Sequence, residues 1–231
     1  PRGWNTSVSH QRKIQSYQVE TNFYHHYAEK TDENSKVPEL YQVGHDLTQS
    51  DQTILILEDL DHSGYFVRKN NGAWQTASLV ISWLAHFHAK FMFNETEDLW
   101  QQGGYWHLAT RIDEHNAMPD DCDLKRYAKQ IDLTLTSAKY QTLIHGDAKL
   151  ENMCFHHTGK HVSAVDFQYI GRGAGIIDLA YFMGSAFHQE QLFEYHDKAL
   201  DFYLAELKQA LAREDKIISW NELNLEYRRL Y

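Results

Sequence analysis

The sequence has few residues that break, bend or cross-link a chain. Its 231 residues include two cysteines, three prolines and twelve glycines. Cys122 and Cys154 have neither the pattern of a disulfide framework nor the spacing of a metal site, which favours a reducing, cytoplasmic setting.

Long apolar runs are also missing. A membrane-spanning helix needs about 20 consecutive apolar residues, whereas the longest runs here resemble Ile54-Leu55-Ile56-Leu57. The first residues contain no apolar segment of the kind that a signal peptide needs. We therefore expect no membrane partner.

Positive charge is the third scarce feature. Lys and Arg number 22 against 32 Asp and Glu, so the formal net charge is −10 at pH 7. A nucleic-acid-binding protein needs a basic face, so no nucleic-acid partner is expected. Hydrophobic residues make up 42% of the chain and aromatic residues 13%, which supports a packed core and excludes a disordered chain. No pattern indicates the oligomeric state.

Hydrophobic periodicity predicts a mostly helical chain. The β-branched run Thr53–Leu57 predicts one buried strand, and residues 94–119 are expected to be irregular. Helices are expected at about Ser9–Ala28, Thr76–Phe93, Ile176–Phe187, Leu192–Leu207 and Glu222–Tyr231, with a further one, capped by Asp120 or Asp121, that carries Leu124, Tyr127, Ile131 and Leu135.

One β-hairpin is expected in the second half of the chain. The apolar segments Asn152–His156 and His161–Phe167 flank His157-Thr158-Gly159-Lys160, which is a turn sequence. The glycine-rich residues 171–175 follow this hairpin and lack the strand and helix context of a phosphate-binding loop, so they are predicted to be a flexible segment. The fold class is therefore α+β.

Three polar residues lie at the ends of the predicted hairpin. Asp147 precedes it, Asn152 begins its first strand, and Asp166 lies where the returning strand ends. A tight hairpin brings these positions together, so their side chains can converge on one small volume. Carboxylate and amide oxygens suit Mg²⁺ rather than zinc. Phosphoryl transfer needs such metal ions, together with a carboxylate that orients the attacking hydroxyl.

The motif His145-Gly-Asp147-Ala-Lys149-Leu-Glu-Asn152, with Val-Asp166-Phe fourteen residues on, resembles the catalytic and metal-binding loops of the protein-kinase-like superfamily. It is most similar to the small-molecule branch: aminoglycoside phosphotransferases, choline kinases and ecdysteroid kinase-like enzymes. That resemblance implies an ATP- and Mg²⁺-dependent kinase with a small-molecule hydroxyl substrate. Asp147 would be the catalytic base, Lys149 would contact the transferred phosphate, and Asn152 and Asp166 would hold the metal. His145 and Asp178, the latter in Ile-Ile-Asp-Leu-Ala-Tyr, would support the catalytic loop.

The resemblance also assigns roles near the N-terminus. Glu20 would correspond to the helix glutamate that pairs with the ATP-binding lysine. Glu58 and Leu60, in Leu-Glu-Asp-Leu, would belong to the hinge that meets the adenine. The implied fold is two-lobed, with a small and incomplete β-containing N-lobe over residues 1–60 and a mostly helical C-lobe over residues 61–231.

Several departures from the family pattern matter. Gly146 replaces the arginine of regulated protein kinases and no Ala-Pro-Glu follows, which favours a small-molecule enzyme. The residues ahead of Glu20 contain neither a glycine-rich loop nor a strand lysine, so we expect missing N-terminal strands and a chain truncated at both ends. A catalytically impaired kinase-like binding protein is an alternative, and so is a metal-dependent hydrolase that uses His145, Asp147 and Asp166.

The acceptor site is expected in the segments that vary within such folds, here residues 94–119 and the C-terminal helices. Choline-like, aminoglycoside-like, sugar-like and steroid-like acceptors all remain open. Aromatic residues that could line this site are Trp100, Tyr105, Trp106 and Trp220.

Overall fold

The computed structural model describes residues 7–45, 53–70 and 72–231. Within these ranges the chain forms seven α-helices and six short strands. The helices are α1 (Ser7–His26), α2 (Trp74–Lys90), α3 (Ile112–Ala117), α4 (Asp123–Thr136), α5 (Ile176–Ala186), α6 (Gln189–Arg213) and α7 (Trp220–Leu230). The strands are β1 (Leu40–His45), β2 (Thr53–Leu57), β3 (Thr142–Ile144), β4 (Met153–Phe155), β5 (Val162–Ala164) and β6 (Gly171–Gly173). This is the predicted α+β class.

Helix α2 lies at the centre of the core and packs along α6. Val80, Leu84 and Phe87 are fully buried and recur at intervals of three and four residues, which places them on one face of the helix. Helix α1 joins the same core through Val19 and Phe23. The predicted helices near residues 9–28, 76–93, 176–187 and 222–231 are confirmed within a few residues at each end. The helix predicted at residues 192–207 is confirmed as α6, which extends further at both ends.

The strands form three separate two-stranded antiparallel sheets. Strands β4 and β5 pair as the predicted hairpin, and β2 coincides with the predicted strand. Strands β1 and β3, which pair with β2 and β6 respectively, were not predicted.

The prediction of a flexible segment at residues 171–175 is wrong. Gly171–Gly173 is strand β6, and residues 100–104 run alongside it. Glycine is required there because a Cβ on Gly171 would lie 2.3 Å from the carbonyl oxygen of Trp100. The glycines therefore allow close packing of two backbone segments rather than motion.

The predicted cap of helix α4 is also wrong. Cys122 precedes the helix, and no side-chain cap is formed there. Asp120 instead accepts a hydrogen bond from Lys125 Nζ at 2.7 Å, which ties the incoming loop to the first turn. Residues 94–119, expected to be irregular, contain α3 and one short 3-10 turn at residues 108–110. No helix in the described part of the chain is long and apolar enough to cross a membrane.

Candidate active site

The loop between β3 and β4 carries Asp147, whose side chain is held by three donors. Lys149 Nζ donates to Asp147 Oδ2 at 2.6 Å, and Asn152 Nδ2 donates to the same oxygen at 3.1 Å. Tyr181, on α5, donates its hydroxyl hydrogen to Asp147 Oδ1 at 2.7 Å. The Asp147 carboxylate is therefore almost completely buried and oriented by neighbours on both sides of the loop.

Asp178 fixes the backbone of this loop through hydrogen bonds. Its carboxylate accepts hydrogen bonds from the backbone N–H groups of His145 at 2.6 Å and Gly146 at 3.0 Å. His88 Nε2 donates to Asp178 Oδ2 at 3.2 Å, and Tyr203 donates its hydroxyl hydrogen to His88 Nδ1 at 2.8 Å. Since all these side chains are buried, the paired donors compensate for placing a carboxylate in the core.

His145 joins the catalytic loop to the strand that leads to Asp166. Its Nε2 atom donates to the carbonyl oxygen of Val165 at 3.0 Å, and its Nδ1 atom accepts from the backbone N–H of Asp147 at 3.3 Å. Both ring nitrogens therefore bond to backbone groups. The metal-dependent hydrolase alternative required His145 as a ligand, and these contacts disfavour it.

Asp166 lies where the hairpin ends, in a left-handed backbone conformation with φ of 67°. Its Oδ1 atom is buried and has no hydrogen-bond partner among the described residues. Glu20 lies beside it and accepts a hydrogen bond from the backbone N–H of Phe167 at 3.1 Å. Burial, and then the charge of Asp166, raise the pKa of Glu20 to about 7, against the opposing hydrogen bonds from Phe167 and Gln168. Two carboxyl groups so close together favour a cation between or beside them.

The described residues contain no cluster of three or more His, Cys, Asp or Glu side chains arranged for a metal ion. Magnesium in kinase sites is commonly held by one or two protein oxygens together with phosphate oxygens and water. Asp166 offers an unpaired carboxylate oxygen, and the Asn152 amide is fixed through its Nδ2 atom, which leaves its oxygen to accept. The two residues therefore fit a divalent cation that arrives with a nucleotide.

The two predicted hinge residues are placed differently. The Glu58 carboxylate accepts a hydrogen bond from Lys36 Nζ at 2.7 Å and another from the backbone N–H of Glu39 at 3.1 Å. Leu60 is buried in a small apolar cluster with Cys154. Val165, the residue that precedes Asp166, packs against this cluster. Of the two, only Leu60 is thus brought next to the segment that carries Asp166.

A cavity of about 440 Å³ opens beside the catalytic loop. Gly146, Asp178 and Tyr181 line it on the side of the loop, and Trp106 forms part of its wall. Much of its lining is apolar and comes from α4 and its surroundings: Leu108, Met118, Leu124, Ala128, Ile131, Leu135 and Ile177. Polar lining groups include Arg111 and His115, and two of their buried atoms, Arg111 Nε and His115 Nδ1, have no hydrogen-bond partner among the described residues.

Of the four aromatic residues considered for an acceptor site, Trp106 lines the cavity. Trp100 and Trp220 pack against the hydrophobic core. Tyr105 packs against Tyr169 with ring centroids 4.7 Å apart. The Arg111 guanidinium lies 3.9 Å from the Trp106 ring centroid and 4.1 Å from that of Tyr105, so it stabilises this wall through cation–π contacts.

Sequence reasoning missed Tyr181 and His88. Tyr181 follows Asp178 by three residues, which puts both on one face of α5 toward the catalytic loop. This three-residue spacing could identify Tyr181 from the sequence once Asp178 is assigned to the support of the loop. No such sequence signal exists for His88, because its partners Asp178 and Tyr203 are 90 and 115 residues away.

Among known protein families, the sequence model of the ecdysteroid kinase-like family matches residues 6–105 and 107–215 of this chain. Among solved structures, the chain is similar to the amicoumacin kinase hAmiN in complex with AMP-PNP, Ca²⁺ and Ami, with 13% identity and a TM-score of 0.54, covering 97% of this chain and 77% of the other. It is also similar to an aminoglycoside-3'-phosphotransferase of type VIII, with 15% identity and a TM-score of 0.46, covering 94% and 78%. No curated protein matches the chain. The likeness to the amicoumacin kinase confirms the predicted kinase-like fold.

Proposed function

The chain belongs to the ecdysteroid kinase-like family, and we propose that it transfers the γ-phosphoryl group of ATP to a hydroxyl group of a small molecule. The observation that carries this proposal is the position of Asp147 next to the cavity: the preceding residue, Gly146, and the partner of its side chain, Tyr181, both line it. Lys149 and Asn152 occupy Oδ2, whereas the donor to Oδ1 is Tyr181, which itself lines the cavity. One carboxylate oxygen is therefore presented on the acceptor side.

In this proposal Asp147 is the base. The hydroxyl oxygen of the acceptor forms a bond to the γ-phosphorus while the bond from that phosphorus to the β,γ-bridging oxygen breaks, so that ADP leaves. The hydroxyl proton passes to the Asp147 carboxylate. Lys149, fixed by its ion pair with Asp147, supplies a positive charge for the transferred phosphoryl oxygens.

Asn152 and Asp166 would hold Mg²⁺, and the bound ion would screen the charge of the β- and γ-phosphates. Glu20, beside Asp166, would pair with the lysine that binds the phosphates of ATP. Leu60 would border the adenine, and Glu58, paired with Lys36, would fix the hinge segment. Residues 1–60 and 61–231 would then act as the two lobes around the nucleotide.

The cavity favours one of the four acceptor classes, the steroid-like one. Its volume lies within the range of about 300–1,000 Å³ that is typical of small-molecule sites. The lining is predominantly apolar, with a few polar side chains such as those of Arg111 and His115. The three carboxylates of the lining already have partners: Glu114 pairs with Arg111, Asp132 accepts from Gln102, and Asp178 accepts from the loop amides. A polycationic acceptor would therefore find few free counter-charges, whereas a hydroxylated apolar ring system would bury its surface.

The test is ADP release with Mg-ATP across steroid alcohols, aminoglycosides, choline and sugars. We expect release that depends on a steroid-like alcohol in the wild type and is lost in Asp147→Asn, a variant that should still bind Mg-ATP. Asp197→Asn, which alters a carboxylate that is 98% exposed, is the matched control and should keep full activity.

Full activity of Asp147→Asn would refute the role of that residue. If no acceptor stimulates release and ATP causes no thermal shift, the chain is a catalytically impaired kinase-like binding protein instead.

A further inference from the structure

Tyr181 has a contact that the proposed function does not explain. Its hydroxyl donates to Asp147 Oδ1 at 2.7 Å, on the oxygen that neither Lys149 nor Asn152 touches. An ionised carboxylate offers about four lone-pair sites, two on each oxygen. Lys149 and Asn152 occupy both sites of Oδ2, and Tyr181 occupies one site of Oδ1. One lone pair of Oδ1 is left for a further donor.

Tyr181 and Asp178 stand one turn apart on the same face of α5. Asp178 holds the backbone N–H groups of His145 and Gly146, while Tyr181 holds the Asp147 side chain. One rigid helix thus fixes both the main chain and the reactive carboxylate of the same loop. Groups carried by helices are positioned more accurately than groups carried by loops.

The Tyr181 side chain is only half-buried and lines the cavity, in contrast to its neighbours Phe182 and Met183, which are in the core. Burial and the hydrogen bond to Asp147 raise the pKa of Tyr181 well above its usual value. The hydroxyl group therefore keeps its proton and acts as a donor throughout the physiological pH range.

Building on the proposed function, we propose that Tyr181 is a positioning residue for phosphoryl transfer. Its hydroxyl hydrogen holds Oδ1 of Asp147 so that the remaining lone pair of this oxygen faces the cavity. The acceptor hydroxyl donates to that lone pair, which aligns its oxygen for attack. Tyr181 itself neither gives nor takes a proton during the reaction.

The kinetic test compares Tyr181→Phe with the wild type. A hydrogen bond to a charged group typically contributes about 1.5–3 kcal/mol, so we expect kcat to fall about 10- to 100-fold. KM for Mg-ATP should stay within about twofold, because the Phe ring keeps the cavity wall and the nucleotide side is untouched. In an Asp147→Asn background the same substitution should change the residual rate little, since the two residues act as one unit.

The matched control is Tyr195→Phe on α6, whose ring packs against Trp74 and Phe187. It should leave both kcat and KM unchanged. A wild-type kcat in Tyr181→Phe would overturn the inference while the proposed function stands. A raised KM for Mg-ATP, or an equal loss in Tyr195→Phe, would also overturn it, because the effect would then be a general structural one.

A second readout does not depend on activity. Tyr181→Phe should lower the melting temperature in the wild type but not in an Asp147→Ala background, where the hydrogen bond has no acceptor. Equal lowering in both backgrounds would overturn the inference. If the wild type shows no acceptor-dependent turnover, the proposed function fails, and this cycle alone decides whether Tyr181 holds Asp147.

Discussion

Asp166 meets two demands at once, one on its backbone and one on its side chain. Its φ of 67° lies in the left-handed region, which disfavours most non-glycine residues and is tolerated best by Asn and Asp. Its buried carboxylate oxygen has no partner among the described residues and suits a cation. Glycine would satisfy the backbone and lose the ligand, whereas alanine would satisfy neither.

This separation makes Asp166→Asn the most informative substitution at the proposed metal site. Asparagine tolerates the left-handed conformation, so we expect the melting temperature to stay within a few degrees of the wild type. The loss of charge should weaken Mg²⁺-dependent ATP binding at least about tenfold, since a hard divalent cation prefers a carboxylate to an amide. Calorimetric titration with ATP, with and without Mg²⁺, measures the effect. Unchanged Mg²⁺-dependent affinity would remove Asp166 from the metal site.

The pair Lys36–Glu58 gives a pH-dependent prediction. Burial pushes the pKa of Glu58 up, but hydrogen bonds from Lys36, Ser63 and the Glu39 backbone outweigh it and leave the pKa below its usual value of 4.5. The folded state therefore gains stability from the charged form above pH 4.5 and loses it as the pH falls through the lowered pKa.

Glu58→Gln should accordingly lower the free energy of unfolding by about 1 kcal/mol at pH 7. The difference from the wild type should shrink as the pH falls below 4.5, where the unfolded state binds the proton, and should disappear below the lowered pKa of the folded state, where both states bind it. Thermal unfolding at pH 7 and at pH 3.5 measures this. Glu194→Gln, at an exposed position of α6, is the control and should show no such trend. A constant difference at both pH values would contradict the prediction.

At the scale of elements, α4 is unusual among the longer helices because, like the six-residue α3, it has no buried residue. It nevertheless has an apolar face, in which Leu124, Ala128, Ile131 and Leu135 line the cavity. An apolar helix face normally packs on a core. Here it borders the proposed acceptor site, so the substrate itself would complete the packing of this helix.

Substitutions at two nearby positions on α4 distinguish a role in acceptor binding from a role in helix stability. Ile131 lines the cavity and is 45% exposed, whereas Leu133 is 62% exposed and does not line it. Ile131→Glu should raise KM for the acceptor at least about tenfold, because a carboxylate is costly against an apolar ligand, and should leave the melting temperature nearly unchanged. Leu133→Glu should change neither. Steady-state kinetics and thermal unfolding of both variants measure the difference, and equal KM values would contradict it.

The elements differ in how far the sequence predicts them. Helix α2 could be predicted because its buried residues recur at helical spacing over four turns. Strands β3 and β6 could not, because each has three residues and exists only through pairing with a partner some thirty residues away. For β6 the glycines gave a misleading signal, since close backbone contacts and flexibility both select for glycine.

The same division holds for the candidate site. His145, Asp147, Lys149, Asn152 and Asp166 lie in two short motifs, and the hairpin between them has a clear turn sequence, so their convergence could be predicted. Tyr181 and His88 act through contacts that exist only after the chain folds, on helices whose pattern indicates burial and nothing more. Arg111 and His115 lie in a segment with no periodicity at all.

At the scale of the whole molecule, one hydrophobic core runs through both predicted lobes. Phe23 of α1 is fully buried and stacks on Phe167, next to Asp166, with ring centroids 4.0 Å apart. Trp83 of α2 donates its indole N–H to the carbonyl oxygen of Lys36 at 2.9 Å. The N-terminal part is thus tied directly to the segment that carries Asp166.

Phe23→Ala should therefore destabilise the whole described fold, and not α1 alone. We expect a loss of about 3–5 kcal/mol, typical of a buried phenylalanine, with a single transition. Unfolding in denaturant, followed by both circular dichroism and tryptophan fluorescence, tests this. His25→Ala, at an exposed position of the same helix, should have little effect. Two separate transitions in Phe23→Ala would show that α1 unfolds independently.

The two cysteines provide a native means of observing the proposed acceptor site. Cys154 is buried in the core of the hairpin region, and burial raises the pKa of its thiol, which suppresses the reactive thiolate. Cys122 is only half-buried and immediately precedes α4, the helix that borders the cavity. A thiol-reactive fluorophore should therefore attach to Cys122 first, without any engineered cysteine. Its emission would report ligand entry as a spectroscopic signal, even for compounds that the protein binds but does not phosphorylate.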